Sequence, residues 1–164
     1  MLAIRRTLYG MRKYSSTSGI YDIKSVLKNQ SVKQKISVNG WVKGIRKQKE
    51  LSFIDIDDGS SIQKLQIVVP TEKIPPGVGY HTSVSALGTL QASQHKGQSV
   101  ELITEVIELI GGPQIENYPF KARKRHPQDY VRQFLHLRAR TNTFSSTLRV
   151  RSQVCKFMKW FHFI

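Results

Sequence analysis

The sequence predicts a mainly β fold: a five-stranded barrel with a short N-terminal helix before it and a basic hinge plus a helix after it. Three observations carry that expectation. Short alternating runs of β-branched and apolar residues recur between residues 35 and 110, with Gly, Pro, Asp and Asn clusters between them. No helix-length periodicity interrupts them. Basic residues without acidic partners then crowd the chain after residue 120.

A short helix is expected over Tyr21 to Lys28, with Asp22 near its start and Ile23, Val26 and Leu27 as its apolar stripe. The first strand is Lys35 to Arg46, where Gly40 and Gly44 predict a bend or bulge. The second is Leu51 to Ile56, closed by the turn Asp57-Asp58-Gly59-Ser60. The third is Ile62 to Val69, stopped at Pro70. Thr71 to Gly79, with Pro75-Pro76-Gly77, is a loop. The fourth strand is His81 to Ala92, and the fifth is Ser99 to Ile110, ended by Gly111-Gly112-Pro113. Five short strands in so few residues suit a small closed barrel or a sandwich, and the five-stranded member of that set is the OB-fold.

Charge narrows the function. The chain has 26 Lys and Arg against 11 Asp and Glu, a net charge of +15. A polyanionic partner fits that balance. From Ile20 to Ile110 the charges nearly cancel, at 11 basic and 9 acidic residues. From Lys121 onward 11 basic residues face one acid, Asp129. A single cysteine, Cys155, excludes an internal disulfide and a Cys-rich metal site, and it is expected as a small core-facing helix residue. The sequence holds no run of 18 apolar residues, so no membrane-spanning helix is expected. His126 and His136 lack partners at metal-ligand spacing and are expected on the surface or in the hinge.

The first 18 residues, MLAIRRTLYGMRKYSSTS, contain Arg5, Arg6, Arg12 and Lys13 and no acid. That composition matches a mitochondrial presequence, with a processing site after Tyr14 and the mitochondrial matrix as destination. The other reading is a basic arm that touches RNA.

On an OB-fold, the outer face of strands 2 and 3 is the usual nucleic-acid platform. Alternation sends Ile54 and Ile56 one way and Leu51, Phe53 and Asp55 the other. In strand 3 it sends Leu65, Ile67 and Val69 inward and Lys64, Gln66 and Val68 outward. Phe53 then stands on the wetter face beside an amide and an ammonium, which suits stacking and edge-reading of an unpaired base. The alternative is that Phe53 is a second core residue.

Two sets of residues then resemble a known family. Val38-Asn39-Gly40-Trp41-Val42, Ile45-Arg46, Ser52-Phe53-Ile54-Asp55, Asp58-Gly59-Ser60 and Leu65-Gln66-Ile67-Val68 resemble the anticodon-binding OB domain of aspartyl- and asparaginyl-tRNA synthetases. Asn117-Tyr118-Pro119-Phe120, Lys124-Arg125-His126, the run His136 to Phe144, and Arg149-Val150-Arg151-Ser152 resemble the asparaginyl branch where its class II catalytic domain begins. The resemblance implies that Phe53 stacks on an anticodon base and that Gln66 hydrogen-bonds the central uridine. It places Glu101 near the same base and Arg46 at a basic position beside it. It makes the partner a tRNA that accepts asparagine.

Arg138, Arg140, Arg149 and Arg151 would line the hinge, either meeting the tRNA backbone or pairing with carboxylates of a catalytic domain. Val150, Val154, Phe157, Met158 and Phe161 fall at helical spacing from about Ser146, matching the family's motif 1 helix, which packs in a homodimer interface. The motif 2 and motif 3 arginines, the magnesium carboxylates and the amino-acid pocket of the family are not found in this sequence. The expectation is therefore a chain that binds no cofactor itself, ATP and magnesium being used by the full-length family, and that is inactive alone as an asparagine-tRNA ligase. A truncated product is expected on the same ground. The competing function is a general single-stranded nucleic-acid binder. Another is a ligase completed by a separate catalytic polypeptide. The expected domain limits are 1–18 presequence, 20–112 OB-fold, 113–144 hinge and 145–164 start of the catalytic domain.

Overall fold

The computed structural model describes residues 19–29, 32–93, 97–112, 118–121 and 124–162. The expected presequence, residues 1–18, and the expected processing site after Tyr14 lie outside those residues. The elements are α1 (Ile23–Asn29), β1 (Lys35–Lys47), β2 (Leu51–Asp57), β3 (Leu65–Pro70), β4 (Ser83–Ala92), β5 (Val100–Gly111), α2 (Gln128–Arg132) and α3 (Asn142–His162). Single 3-10 turns occur at Thr71–Lys73 and Arg138–Arg140.

The five strands close into a barrel in the order β1-β2-β3-β5-β4. All pairings are antiparallel except β3 with β5. Closure removes every sheet edge, so no strand is left open to pair with another chain. Inward positions alternate as a half-buried strand requires: Ser52, Ile54 and Ile56 of β2 are buried while Phe53 and Asp55 are partly exposed. Val38, Val42, Ile54, Ile56, Leu65, Ile67, Val69, Val84 and Leu102 form the centre of the core. Each such side chain removed from water stabilises the fold by roughly 1.5–3 kcal/mol. α1 adds Ile23 and Val26 to the same core.

β1 is long enough to pair with both β4 and β2 because it bends. Its register with β2 shifts between Val42 and Gly44, so Lys43 is the extra residue of a bulge. Gly44 sits there because a side chain would meet the Asp55 carboxylate at 3.2 Å. A second shift occurs between Leu87 and Gly88 of β4. Gly88 is required because any side chain would press on the Ile103 carbonyl of β5.

The turn after β2 also fixes α1. Gly59 takes φ +83, which glycine alone adopts at little cost. Its amide and that of Ser60 bond to the carboxylates of Asp57 and Asp58 at 2.8 and 2.9 Å. The other Asp58 oxygen accepts from the Ile23 amide at 2.8 Å, and the Ser60 hydroxyl accepts from the Lys24 amide. These satisfy donors that the first helical turn leaves unpaired, an effect worth about 1 kcal/mol per cap. Asp22 caps the Ser25 amide in the same turn.

Several expectations are corrected here. β3 begins at Leu65 rather than Ile62, because residues 62–64 are a bend at the barrel's end. β4 begins at Ser83 rather than His81. His81 has φ 65, its amide donates to the Val42 carbonyl, and Val42 in turn donates to Thr82, which holds this corner as a turn. The hinge contains α2, which was not expected, and α3 begins at Asn142 rather than near Ser146. Cys155 is exposed, not core-facing, since no described residue of α3 is buried.

Candidate nucleic-acid interface

The barrel brings the four predicted anticodon-site residues together on one outer face. Arg46 of β1 pairs across from Phe53 of β2. Asp55 pairs with Gln66 of β3, and Gln66 pairs with Glu101 of β5. Residues opposite one another on one face have Cβ atoms about 5 Å apart, so the four span a patch the size of one nucleobase with its neighbours.

Phe53 is partly exposed on this face, not sealed among the aliphatic side chains inside. The Arg46 guanidinium carbon lies 5.6 Å from the centre of its ring, within cation–π range. Arg46 also donates to the Gln66 amide oxygen at 3.3 Å. Gln66 is 6% exposed, which departs from the expected exposed amide: its neighbours on β2 and β5 shield it. Its amide nitrogen is buried and has no hydrogen-bond partner. A buried unpaired N–H is costly, by roughly 1–3 kcal/mol. Glu101 is held by the Gln98 amide at 3.3 Å. The face therefore offers a flat ring, an unsatisfied donor, a cation and a carboxylate. That set can stack on a base and discriminate its polar edge.

A second locus lies where the barrel meets the hinge. The Arg140 guanidinium carbon sits 3.6 Å from the centre of the Trp41 ring, a stacking distance. Lys43, with a side chain 7% exposed, donates to the Arg140 carbonyl and lies 3.6 Å from Asp57. Burial lowers the Lys43 pKa, and Asp57 opposes that shift. His81 packs against Tyr80 and Tyr118 with tilted rings, the ring centres at 3.8 and 4.4 Å. Its pKa is lowered to about 3, first by burial and then by Lys43 and Arg140, so the imidazole is neutral near pH 7. Burial likewise pushes the Tyr118 hydroxyl up to about 12.

The predicted hinge arginines do not act as one group. Arg138 lies over Phe144, with 5.7 Å from guanidinium carbon to ring centre. Arg149 donates to the hydroxyls of Ser145 and Ser146 on its own helix. Arg151 is exposed. Arg140 stacks on the barrel's Trp41, and Arg149 lines a second cleft with Trp41, Lys43 and Asp57. Trp41, Lys43, His81 and Tyr118 were missed at the sequence level. Strand alternation places Trp41 and Lys43 outward together, and that was the available signal. His126 is partly buried beside Phe120 and Tyr130, and His136 is exposed. Among the described residues, no three His, Cys, Asp or Glu side chains are grouped to hold a metal, and no helix is long and apolar enough to cross a membrane.

Known proteins share this fold. Residues 36–110 match the family model described as an OB-fold nucleic acid binding domain. The chain is 39% identical over 161 residues to an asparaginyl-tRNA synthetase of Mus musculus, covering 93% of this chain and 34% of the relative. It is 36% identical to an asparagine–tRNA ligase of Borreliella burgdorferi, covering 80% of this chain and 30% of that protein. The crystal structure of asparaginyl-tRNA synthetase from Pyrococcus horikoshii shares the fold, with a TM-score of 0.67 at 19% identity. That match covers 83% of this chain and 34% of the solved one. The chain thus spans about a third of the length of the curated relatives it matches. The chain belongs to the asparaginyl-tRNA synthetase family, and its residues 36–110 are the OB-fold anticodon-binding domain.

Proposed function

We propose that the chain binds the anticodon of a tRNA that accepts asparagine, through the face built by Arg46, Phe53, Gln66 and Glu101. Phe53 stacks on an unpaired base. The free amide nitrogen of Gln66 reads the base edge, and Arg46 and Glu101 flank it. The observation that carries this reading is the outward, partly exposed ring of Phe53 beside a buried amide donor with no partner in the chain. Of the hinge arginines, Arg140, stacked on Trp41 at the barrel's end, is the one placed to meet the tRNA backbone beside that face, while Arg138 and Arg149 are engaged within the hinge and α3. The activity served is ATP-dependent asparagine–tRNA ligation in the mitochondrial matrix. ATP and magnesium belong to the catalytic domain of the full-length family.

The apolar residues of α3 support a homodimer contact. Val150, Val154, Phe157, Met158 and Phe161 are all exposed on a helix that buries none of its described residues. Such a stripe is what a symmetric helix interface buries.

Replacing Phe53 with Ala tests the reading. The expected loss of affinity for an anticodon stem-loop is about 1–3 kcal/mol, the range for one stacked base. Unchanged affinity in a filter-binding titration refutes the stacking role. The net charge of +15 also favours a general single-strand binder. Such a protein would bind a GUU stem-loop and an unrelated stem-loop alike at physiological salt, with a steep salt dependence.

A further inference from the structure

The hinge packs against the end of the barrel and leaves an open cleft of about 750 Å³. Six cationic side chains line it: Lys43, Lys64, Lys121, Lys124, Arg125 and Arg140. No acidic residue is among its lining residues. The Asp57 carboxylate is engaged with Lys43 from the adjoining side. Asp57 balances Lys43, and the other five cations have no acidic partner among the lining residues; such a cluster raises the potential of a concave site for anions. The floor is aromatic and polar, including Tyr80, His81 and Phe120. His81 is 8% exposed, and neither ring nitrogen has a partner within the chain. Because it is neutral near pH 7, the imidazole supplies one N–H donor and one acceptor rather than a further charge.

Position decides what kind of anion fits. Lys43 lies on β1 three residues before Arg46, a separation of about 10 Å along the strand. Lys64 immediately precedes β3, two residues from Gln66. The cleft is thus the continuation of the face that carries Phe53, reached along the same two strands. An elongated polyanion whose base stacks on Phe53 passes directly into it.

We propose that this cleft is a phosphodiester subsite, which takes the backbone of the bound RNA as it leaves the Phe53 face for the hinge. The inference rests on the reading of that face as an RNA platform. It adds Lys64, Lys121, Lys124 and Arg125 as backbone contacts that read no sequence, with Lys43 held beneath them by Asp57 and the Arg140 carbonyl. Phosphate contacts of this kind position a nucleic acid, while base contacts specify it.

The test uses the full chain with Lys121→Gln and Lys124→Gln combined, two cleft lysines away from the Phe53 face. Both side chains are exposed and no ion pair holds either among the described residues, so folding is preserved. Affinity is measured across a salt series for an anticodon stem-loop and, separately, for the trinucleotide GUU. The stem-loop should weaken, and the slope of log affinity against log salt should fall by about one per lysine removed. Binding of GUU, which reaches only the Phe53 face, should not change. An unchanged slope overturns the proposal, and so does equal weakening of both RNAs. Competition by uridine monophosphate as strong as by the stem-loop overturns the assignment to RNA and gives the cleft to a free nucleotide. If the Phe53 reading is what fails, Phe53→Ala leaves both RNAs unaffected while the lysine variant still lowers the stem-loop slope.

Discussion

Replacing Gln66 with Met should move stability and RNA binding in opposite directions. Met matches the length and volume of Gln but carries no hydrogen-bonding amide. In the free chain Gln66 is 6% exposed, and its nitrogen has no partner. Removing that donor relieves a buried unsatisfied group, a gain of about 1–3 kcal/mol. The loss is one bond, from Arg46 at 3.3 Å. Arg46 is exposed and regains water, so this loss is at most about 1 kcal/mol. The net change is a stability equal to the parent or higher by about 1–2 kcal/mol, read from the urea midpoint at constant slope. Binding should instead weaken, because a base edge that met the amide now faces an apolar side chain. A polar group left unpaired at a desolvated site costs about 1–3 kcal/mol, or roughly 5- to 150-fold in affinity. Fluorescence anisotropy with a labelled anticodon stem-loop measures it. A Gln66→Met chain that is less stable yet binds RNA as the parent does would refute this reasoning. It would mean that the amide holds the barrel rather than reads a ligand.

Two further outcomes follow from the same geometry. Gly88→Ala places a methyl against the Ile103 carbonyl and 2.8 Å from the Thr104 backbone, atoms that cannot rotate away. β4 and β5 must separate, and urea unfolding should show a loss of about 3 kcal/mol, the upper part of the usual overpacking range. For His81, the folded pKa of about 3 lies below the ordinary 6.5. A depressed pKa contributes stability that is present above pH 6.5 and is lost as pH falls from there toward 3, at up to about 1.4 kcal/mol per pH unit. His81→Asn keeps the left-handed backbone and removes the titration. Its melting temperature should therefore fall less than the parent's between about pH 7 and pH 5.

Much of the barrel was legible in the sequence because its strands are short, alternating and bounded by turn residues. Ile54, Ile56, Leu65, Ile67 and Val69 occupy the inner positions their period assigns. Phe53 falls on the outer face for the same reason. The bulge was marked by Gly44. What alternation does not reveal is how deeply an outward residue is covered. Gln66 stands on the outer face yet is buried, beside Asp55 and Glu101 across the strands and with the Arg46 guanidinium bonded to its amide, and these neighbours come from distant parts of the chain. The junction with the hinge was illegible for a related reason. Lys43 meets Arg140 across 97 residues, and His81 enters through a left-handed turn inside an apparent strand run. The short α2 was hidden in a polar basic segment with no periodic stripe. Its one buried residue, Val131, packs only in the folded hinge.

Anticodon recognition on this face requires an unpaired RNA base to lie against the ring of Phe53. Nuclear magnetic resonance of the chain titrated with a GUU anticodon stem-loop tests it most directly. The Phe53 ring protons should shift upfield and give cross-relaxation peaks to a base of the loop. Ring signals that stay in place while the RNA binds elsewhere on the chain would contradict it.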